Sequence, residues 1–325
     1  MLDNKKRNLW QRFLSIPGSG VFLALVAFII IVSVISPLTT GGSFLTFSNI
    51  INVFRQQSYI GIIACALTLV MITGNIDLSI GSQLTLMTVL CARISQTMGD
   101  MAIPMTLLIG VACGLLNGSL VGVVRLNSFI TTLGSGSIYG ALALILVAGH
   151  TVRSNTAVFD FIGLGTLFGV IPVPVVILLI VIAILAFLLG RTVFGQRLYA
   201  IGANPAAATF SGIKSRNAIV LTYILTGLCS AIAAILLIAR SISANPQIGS
   251  GKEMDIILTV VLGGTSIFGG KGSVLGTAVG FLFIGFLSSG FTFLAFNQYI
   301  QWIATGVILI IALSLDVLSE RRSRL

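Results

Sequence analysis

Apolar residues along the chain run in long blocks separated by short glycine-rich or basic pieces. A helix needs about 20 apolar residues to cross the hydrocarbon core of a membrane, and backbone left unpaired there is costly, so such blocks predict membrane-spanning helices. Ten are predicted, over about 19–37, 58–73, 79–96, 102–124, 129–147, 171–190, 217–238, 254–268, 273–290 and 298–315. The first follows the basic stretch Lys5, Lys6, Arg7, Arg12, as a signal peptide would, but no small-residue cleavage site comes after it and Pro37 opens a loop. It is read as a retained span. The second and third spans, and the eighth and ninth, are separated only by glycine-rich pieces, which predicts broken or re-entrant helices packed inside the protein. The expected fold is all-α: one transmembrane domain, 1–325, of about ten helices.

Composition agrees with this pattern. Of 325 residues, 56% are apolar and only 8% charged, and the mean hydropathy is +1.11. Ordinary soluble domains carry about 25% charged residues, so a water-facing surface could not be coated and a soluble enzyme is excluded. The net charge of +10 would suggest a nucleic-acid partner in a soluble protein, but here the basic residues lie between apolar runs, and no nucleic acid is expected. They mark orientation instead. With ten crossings and the amino terminus inside, 13 of the 18 basic residues fall on the inner side, so both termini are expected in the cytoplasm. The inner pieces then include 1–18, 191–216 and the tail 317–325, with Arg125 and Lys271 in short inner turns. Cys65, Cys91, Cys113 and Cys229 lie in apolar stretches without paired spacing, and are read as inert core residues with no metal site.

An ionisable side chain in hydrocarbon costs several kcal/mol unless it is paired or faces water, so Asp77 stands out. It sits in GNIDLSIGS, where Gly74 and Gly81 permit a chain break and Asn75, Ser79 and Ser82 add neutral donors and acceptors. That set suits a hydroxyl-rich solute, since an interrupted helix adds free backbone groups within the bilayer. The alternative is that Asp77 caps the third helix by accepting from its first amides and never meets cargo. A second glycine-broken piece, GGTSIFGGKGS at 263–273, offers Thr265, Ser266 and Lys271. Lys271 reads as a positive-inside anchor or as a partner of Asp77. The two pieces align with each other, which either a parallel duplication or glycine abundance would explain. A phosphate-binding loop fails, because Gly272 follows Lys271 where Ser or Thr is needed. No catalytic set is visible, and the chain is not expected to be an enzyme.

The inner segment 190–218 contains Asn204 and Pro205, a good helix start, followed by Ala206, Ala207 and Ala208, with Gly212 as a stop. A short small-faced helix rimmed by Arg197, Lys214 and Arg216 fits a peg for a partner's groove. It equally fits an interfacial helix touching lipid headgroups.

Taken in order, GNIDLSIGS, FGQRLYAIGANPAAATFSGI and EMDIILTVVLGGTSIFGGKGSVLGT resemble the permease subunit of bacterial ribose-type ABC importers, within the branched-chain amino acid/ribose permease superfamily; the resemblance covers about residues 20–318. It implies an inner-membrane permease that pairs with a second permease copy or a homologue, binds cytoplasmic ABC ATPase subunits, and receives a monosaccharide from a periplasmic sugar-binding protein. ATP and Mg would sit on the ATPase, with no cofactor on this chain. Carried over by position, Asn204 to Ile213, including Pro205, Ala206, Ala207 and Gly212, would be the coupling helix. Asn75, Asp77, Ser79, Ser82, Thr265 and Ser266 would line or gate the path. Two departures stand out: Asn75 replaces the usual second glycine, and Ala206 replaces a common acid. The rival reading is an ion-driven secondary transporter of a small polar solute, for which the spans offer almost no titratable residues beyond Asp77.

Overall fold

The structure is a computed structural model describing residues 19–154 and 156–324; the expected cytoplasmic segment 1–18 lies outside the described residues. Its helices are α1 (Ser19–Thr40), α2 (Phe47–Ile72), α3 (Ile80–Met98), α4 (Ala102–Gly118), α5 (Ser128–Leu146), α6 (Ala157–Leu164), α7 (Val173–Arg191), α8 (Val193–Ala203), α9 (Pro205–Phe210), α10 (Ser215–Ser241), α11 (Lys252–Leu262), α12 (Val274–Phe293) and α13 (Gln298–Arg324). Two short antiparallel pairs complete it: β1 (Val152–Arg153) with β4 (Ser243–Ala244), and β2 (Thr166–Leu167) with β3 (Ile171–Pro172). Among the described residues, 7 stretches are long and apolar enough to cross a membrane, so the fold is an all-α polytopic one. One of the 7, Ile80–Val123, is 44 residues long. It doubles back at Gly99, because Asn117 near the end of α4 bonds Ser79 at the start of α3.

α2 and α10 form the centre. Every residue of α2 from Ile60 to Ile72 is buried, and α10 packs against α2, α3, α4 and α6. α4 and α10 approach each other closely. Gly110, Gly114, Gly118 and Gly122 recur every fourth position through α4 and the π-helical turn that follows, Ser119–Val123. They face the α10 backbone: a Cβ at Gly118 would lie 2.9 Å from the Val220 Cα, and Gly110 stands against Gly227. Between membrane helices, where no hydrophobic force favours association, small residues that let backbones approach supply the dispersion contact. Large apolar side chains left exposed on α1, α5, α7 and α13, such as Ile30, Ile145, Ile180 and Trp302, are the surface offered to lipid tails.

Four expected boundaries are corrected. Pro37, expected to open a loop, lies inside α1, which runs on to Thr40. The second span begins at Phe47 rather than 58, because Thr46 caps it by accepting from the Asn49 amide and α12 packs along it. The eighth, expected over 254–268, is the 11-residue α11, about 17 Å long and too short to cross. The tail expected at 317–325 continues as helix through Arg324.

Candidate functional site

The first helix break follows Ile72. Gly74 adopts φ +77°, a conformation that side chains disfavour, and turns the chain out of α2. Asp77 is fully buried; its Oδ1 accepts from the Ser79 amide at 2.9 Å and from the Ser79 hydroxyl at 2.5 Å. Ser79 Oγ accepts in turn from Gln83 Nε2 at 2.8 Å and Asn117 Nδ2 at 2.9 Å, and Tyr139 donates to Asn117 Oδ1. Break backbone is satisfied from other helices: Tyr223 donates to the Ile76 carbonyl, and the Ile76 and Leu78 amides donate to Ser128 and Thr132. In hydrocarbon each of these groups would otherwise stand orphaned, at about 1–3 kcal/mol apiece.

The expected capping of α3 by Asp77 is not what the fold contains. Ser79 occupies the cap position of α3, and Asp77 holds Ser79's own amide, one step before the helix begins. It is also sealed from the surface, with its second oxygen, Oδ2, buried and unpartnered. Asn75 is half-buried and donates to Thr73 Oγ1, while Ser82 is half-buried beneath Gly136 and Gly140 of α5. Gly81 lies inside α3 and not in the break; its bare face admits the Gly249 carbonyl and Glu253.

The second break spans Gly263 to Ser273, with Gly264, Gly269 and Gly270 at φ +83°, +87° and +73°. Thr265 and Ser266 are buried, Thr265 Oγ1 has no partner, and the Ser266 amide donates to the Lys271 carbonyl, closing the loop. Lys271 is exposed, and the Asp77 carboxylate bonds Ser79 and not Lys271. The two breaks touch. Gly270 donates its amide to the Ile72 carbonyl at 2.9 Å, filling an acceptor that the end of α2 leaves open, and a Cβ at Gly269 would lie 2.7 Å from the Gly74 nitrogen.

The same junction holds the segment between α7 and α10. Gly202 near the end of α8 has no room for a Cβ: it presses on the Ile72 carbonyl and the Gly270 amide. Tyr199 donates to the Gly272 carbonyl at 2.7 Å; burial lifts its phenol above the usual tyrosine range, so it stays a donor. Asn204 then caps α9, accepting from the Ala207 amide at 3.0 Å, with Pro205 in the first turn. Gly212, at φ +76°, ends it in a Schellman arrangement, Ile213 donating to Ala208 and Gly212 to Thr209. Ala208 and Ile213 anchor this unit in the core, whereas Pro205, Ala206, Ala207 and above all Phe210, 92% exposed, point away from it. Beside it a cavity of about 290 Å³ is lined by Arg125, Lys214 and Arg216.

Over residues 49–313 the chain matches the family described as branched-chain amino acid transport system / permease component. The chain belongs to this family. Ribose import permease protein RbsC of Bacillus subtilis is 39% identical over 301 residues, 91% of this chain and 92% of that protein. Fructose import permease protein FrcC of Rhizobium meliloti is 32% identical across 93% of this chain and 84% of its own length. Autoinducer 2 import system permease protein LsrD of Yersinia enterocolitica is 38% identical across 78% of each. No solved structure matches the chain. The resemblance read from the three motifs, to a ribose-type importer permease, is borne out.

In this permease the sequence reading missed Gly202, Tyr199, Asn117, Tyr139 and Phe210. The first four act through partners more than 20 residues away, which spacing along the chain does not reveal. Phe210 lay within the recognised motif, and its exposure is the signal that singles it out. The four-residue glycine spacing from Gly110 to Gly122 was readable directly.

Proposed function

We propose that the chain is the membrane-spanning subunit of an ABC importer that passes a monosaccharide or sugar-like solute across the bacterial inner membrane. One observation carries the reading: the exposed, doubly capped α9 follows Gly202, which is wedged against both helix breaks. A push on α9 therefore reaches the places where the spans are interrupted. In this account a cytoplasmic ABC ATPase docks on Asn204 to Ile213, with Phe210 as the knob, and closes on ATP and Mg of its own. Two permeases, identical or homologous, move together, each with both termini in the cytoplasm. A periplasmic sugar-binding protein delivers the cargo.

Asp77, Ser79, Thr265 and Ser266 act as a gate, with Asn75 and Ser82 at its edge. Asp77 Oδ2 and Thr265 Oγ1 are buried acceptors without donors in the closed arrangement. Separation of the breaks would offer them to hydroxyl groups, the alternating-access step being a rigid shift about the Gly202 junction. The names of the relatives, all import permeases, favour this reading over an ion-driven carrier. Uptake of D-ribose, D-fructose and D-allose into vesicles holding the chain with its ATPase and receptor tests it. Uptake that needs ATP and the receptor is the expected result; uptake without ATP that collapses on adding a protonophore would overturn it.

A further inference from the structure

A cavity of about 160 Å³ lies between the first turns of α2 and the last turns of α12, at the ends of these helices away from the breaks. Its lining is unusual for spanning helices. Asn49, Asn52, Gln56 and Gln57 come from α2, and Ser288, Ser289 and Thr292 from α12, with Phe293 as an aromatic wall and no charged side chain. Gln57 lies ten residues into α2, about 15 Å from its start, so the cavity reaches well into the bilayer.

Polar groups at that depth need partners, and part of the set is tied within the protein. Ser289 donates to Asn49 Oδ1 at 3.1 Å, Asn49 donates to the Phe44 carbonyl, and Gln301 donates to Ser288 Oγ at 2.9 Å. Gln57 is not: its Oε1 is buried and accepts from nothing. Such an orphan costs about 1–3 kcal/mol unless a donor arrives from outside the chain. Gly285 keeps the floor bare, since a Cβ there would lie 3.1 Å from Val53 Cγ1 and 3.5 Å from Gln57 Cγ.

We infer that this cavity is a binding site for a neutral, hydroxyl-rich ring, a single sugar unit, at the mouth opposite the coupling segment. The inference rests on the sugar-importer reading above and adds a site distinct from the gate. Four amides and three hydroxyls supply donors and acceptors together, as a polyol needs, while the absence of charge gives no hold on ions or acids. The volume equals about five liquid waters, so a ring with a comparable number of hydroxyls exchanges water bonds for protein bonds. Phe293 lines one wall, and the Gln57 side chain stands at the inner end.

The test uses the full chain in lipid vesicles, in a Cys113→Ala background, with Ser289→Cys as reporter and D-ribose, D-fructose and D-allose as probes. One of these sugars is expected to slow modification by a membrane-impermeant thiosulfonate about threefold or more. Adding Gln57→Leu, which keeps the bulk and removes the amide, should abolish that protection without changing the rate in the absence of sugar. In the assembled importer Gln57→Leu alone should lower uptake about tenfold, the loss expected for one hydrogen bond to a buried group. No protection by any of the three, protection that survives Gln57→Leu, or a disulfide from position 289 to a second copy each overturns the site. Uptake that fails in the unmodified importer while protection persists sinks the importer reading and leaves the site; normal uptake without protection does the reverse.

Discussion

The carbonyl of Ile72, at the end of α2, accepts the amide of Gly270 in the second break at 2.9 Å, and Gly202 closes over that bond from α8. Three stretches distant in sequence thus share one backbone contact. A side chain at position 202 must part them. Gly202→Val is therefore expected to reduce ATP-driven uptake at least about tenfold while the protein still inserts, because overpacking by about 1–3 kcal/mol shifts the junction without unmaking the bundle. Uptake equal to the unmodified importer would show that the junction is not in the drive train.

Phe210 is 92% exposed and supports nothing inside the fold. Phe210→Asp should leave thermal stability within about 0.5 kcal/mol, as surface changes do. It should abolish the stimulation of the partner ATPase. Ala207→Asp, on the same exposed helix, is expected to behave likewise, and full stimulation in both variants would remove α9 from the coupling role.

Ser79 Oγ accepts from two amide side chains and donates to Asp77, whereas Ser82 sits half-buried beside α5. Ser79→Ala strands the Gln83 and Asn117 amides, at about 1–3 kcal/mol each. Its unfolding midpoint in detergent should fall clearly below that of Ser82→Ala. Asp77→Asn, which keeps an acceptor for the Ser79 amide, should be milder than Asp77→Ala. An equal midpoint for Ser79→Ala and Ser82→Ala would contradict the network.

The glycine ladder makes a paired prediction. Gly114 faces the Tyr223 carbonyl and the Ile224 Cα of α10, while nothing lies within 4 Å of a Cβ at Gly134. Gly114→Leu is expected to prevent α4 and α10 from meeting, seen as loss of monodisperse protein on solubilisation. Gly134→Ala should be indistinguishable from the parent.

Blocks of apolar residues revealed the spans and the two breaks because lipid tolerates little else, and Gly74 and Gly270 announced turns that other residues resist. Hydropathy misplaced the start of α2 for a physical reason: Asn52, Gln56 and Gln57 look like a loop, yet they are helical and line a polar cavity shared with Ser288, Ser289 and Thr292 of α12. It also lengthened α11, where apolar Ile267 and Phe268 continue past the glycines that end the helix. Asp77 was conspicuous in the sequence, but that its carboxylate holds the Ser79 amide depends on how the break folds back. The contact of Gly202 with Ile72 bridges 130 positions, and no local pattern encodes it.

The central claim is that α9 faces the cytoplasm and receives its force there from a separate ATPase. Labelling Phe210→Cys with an impermeant thiol reagent tests it most directly. The account predicts no reaction in intact cells, reaction after the membrane is opened, and protection when the ATPase is bound. Ready labelling in intact cells would place α9 on the outer side and contradict the account.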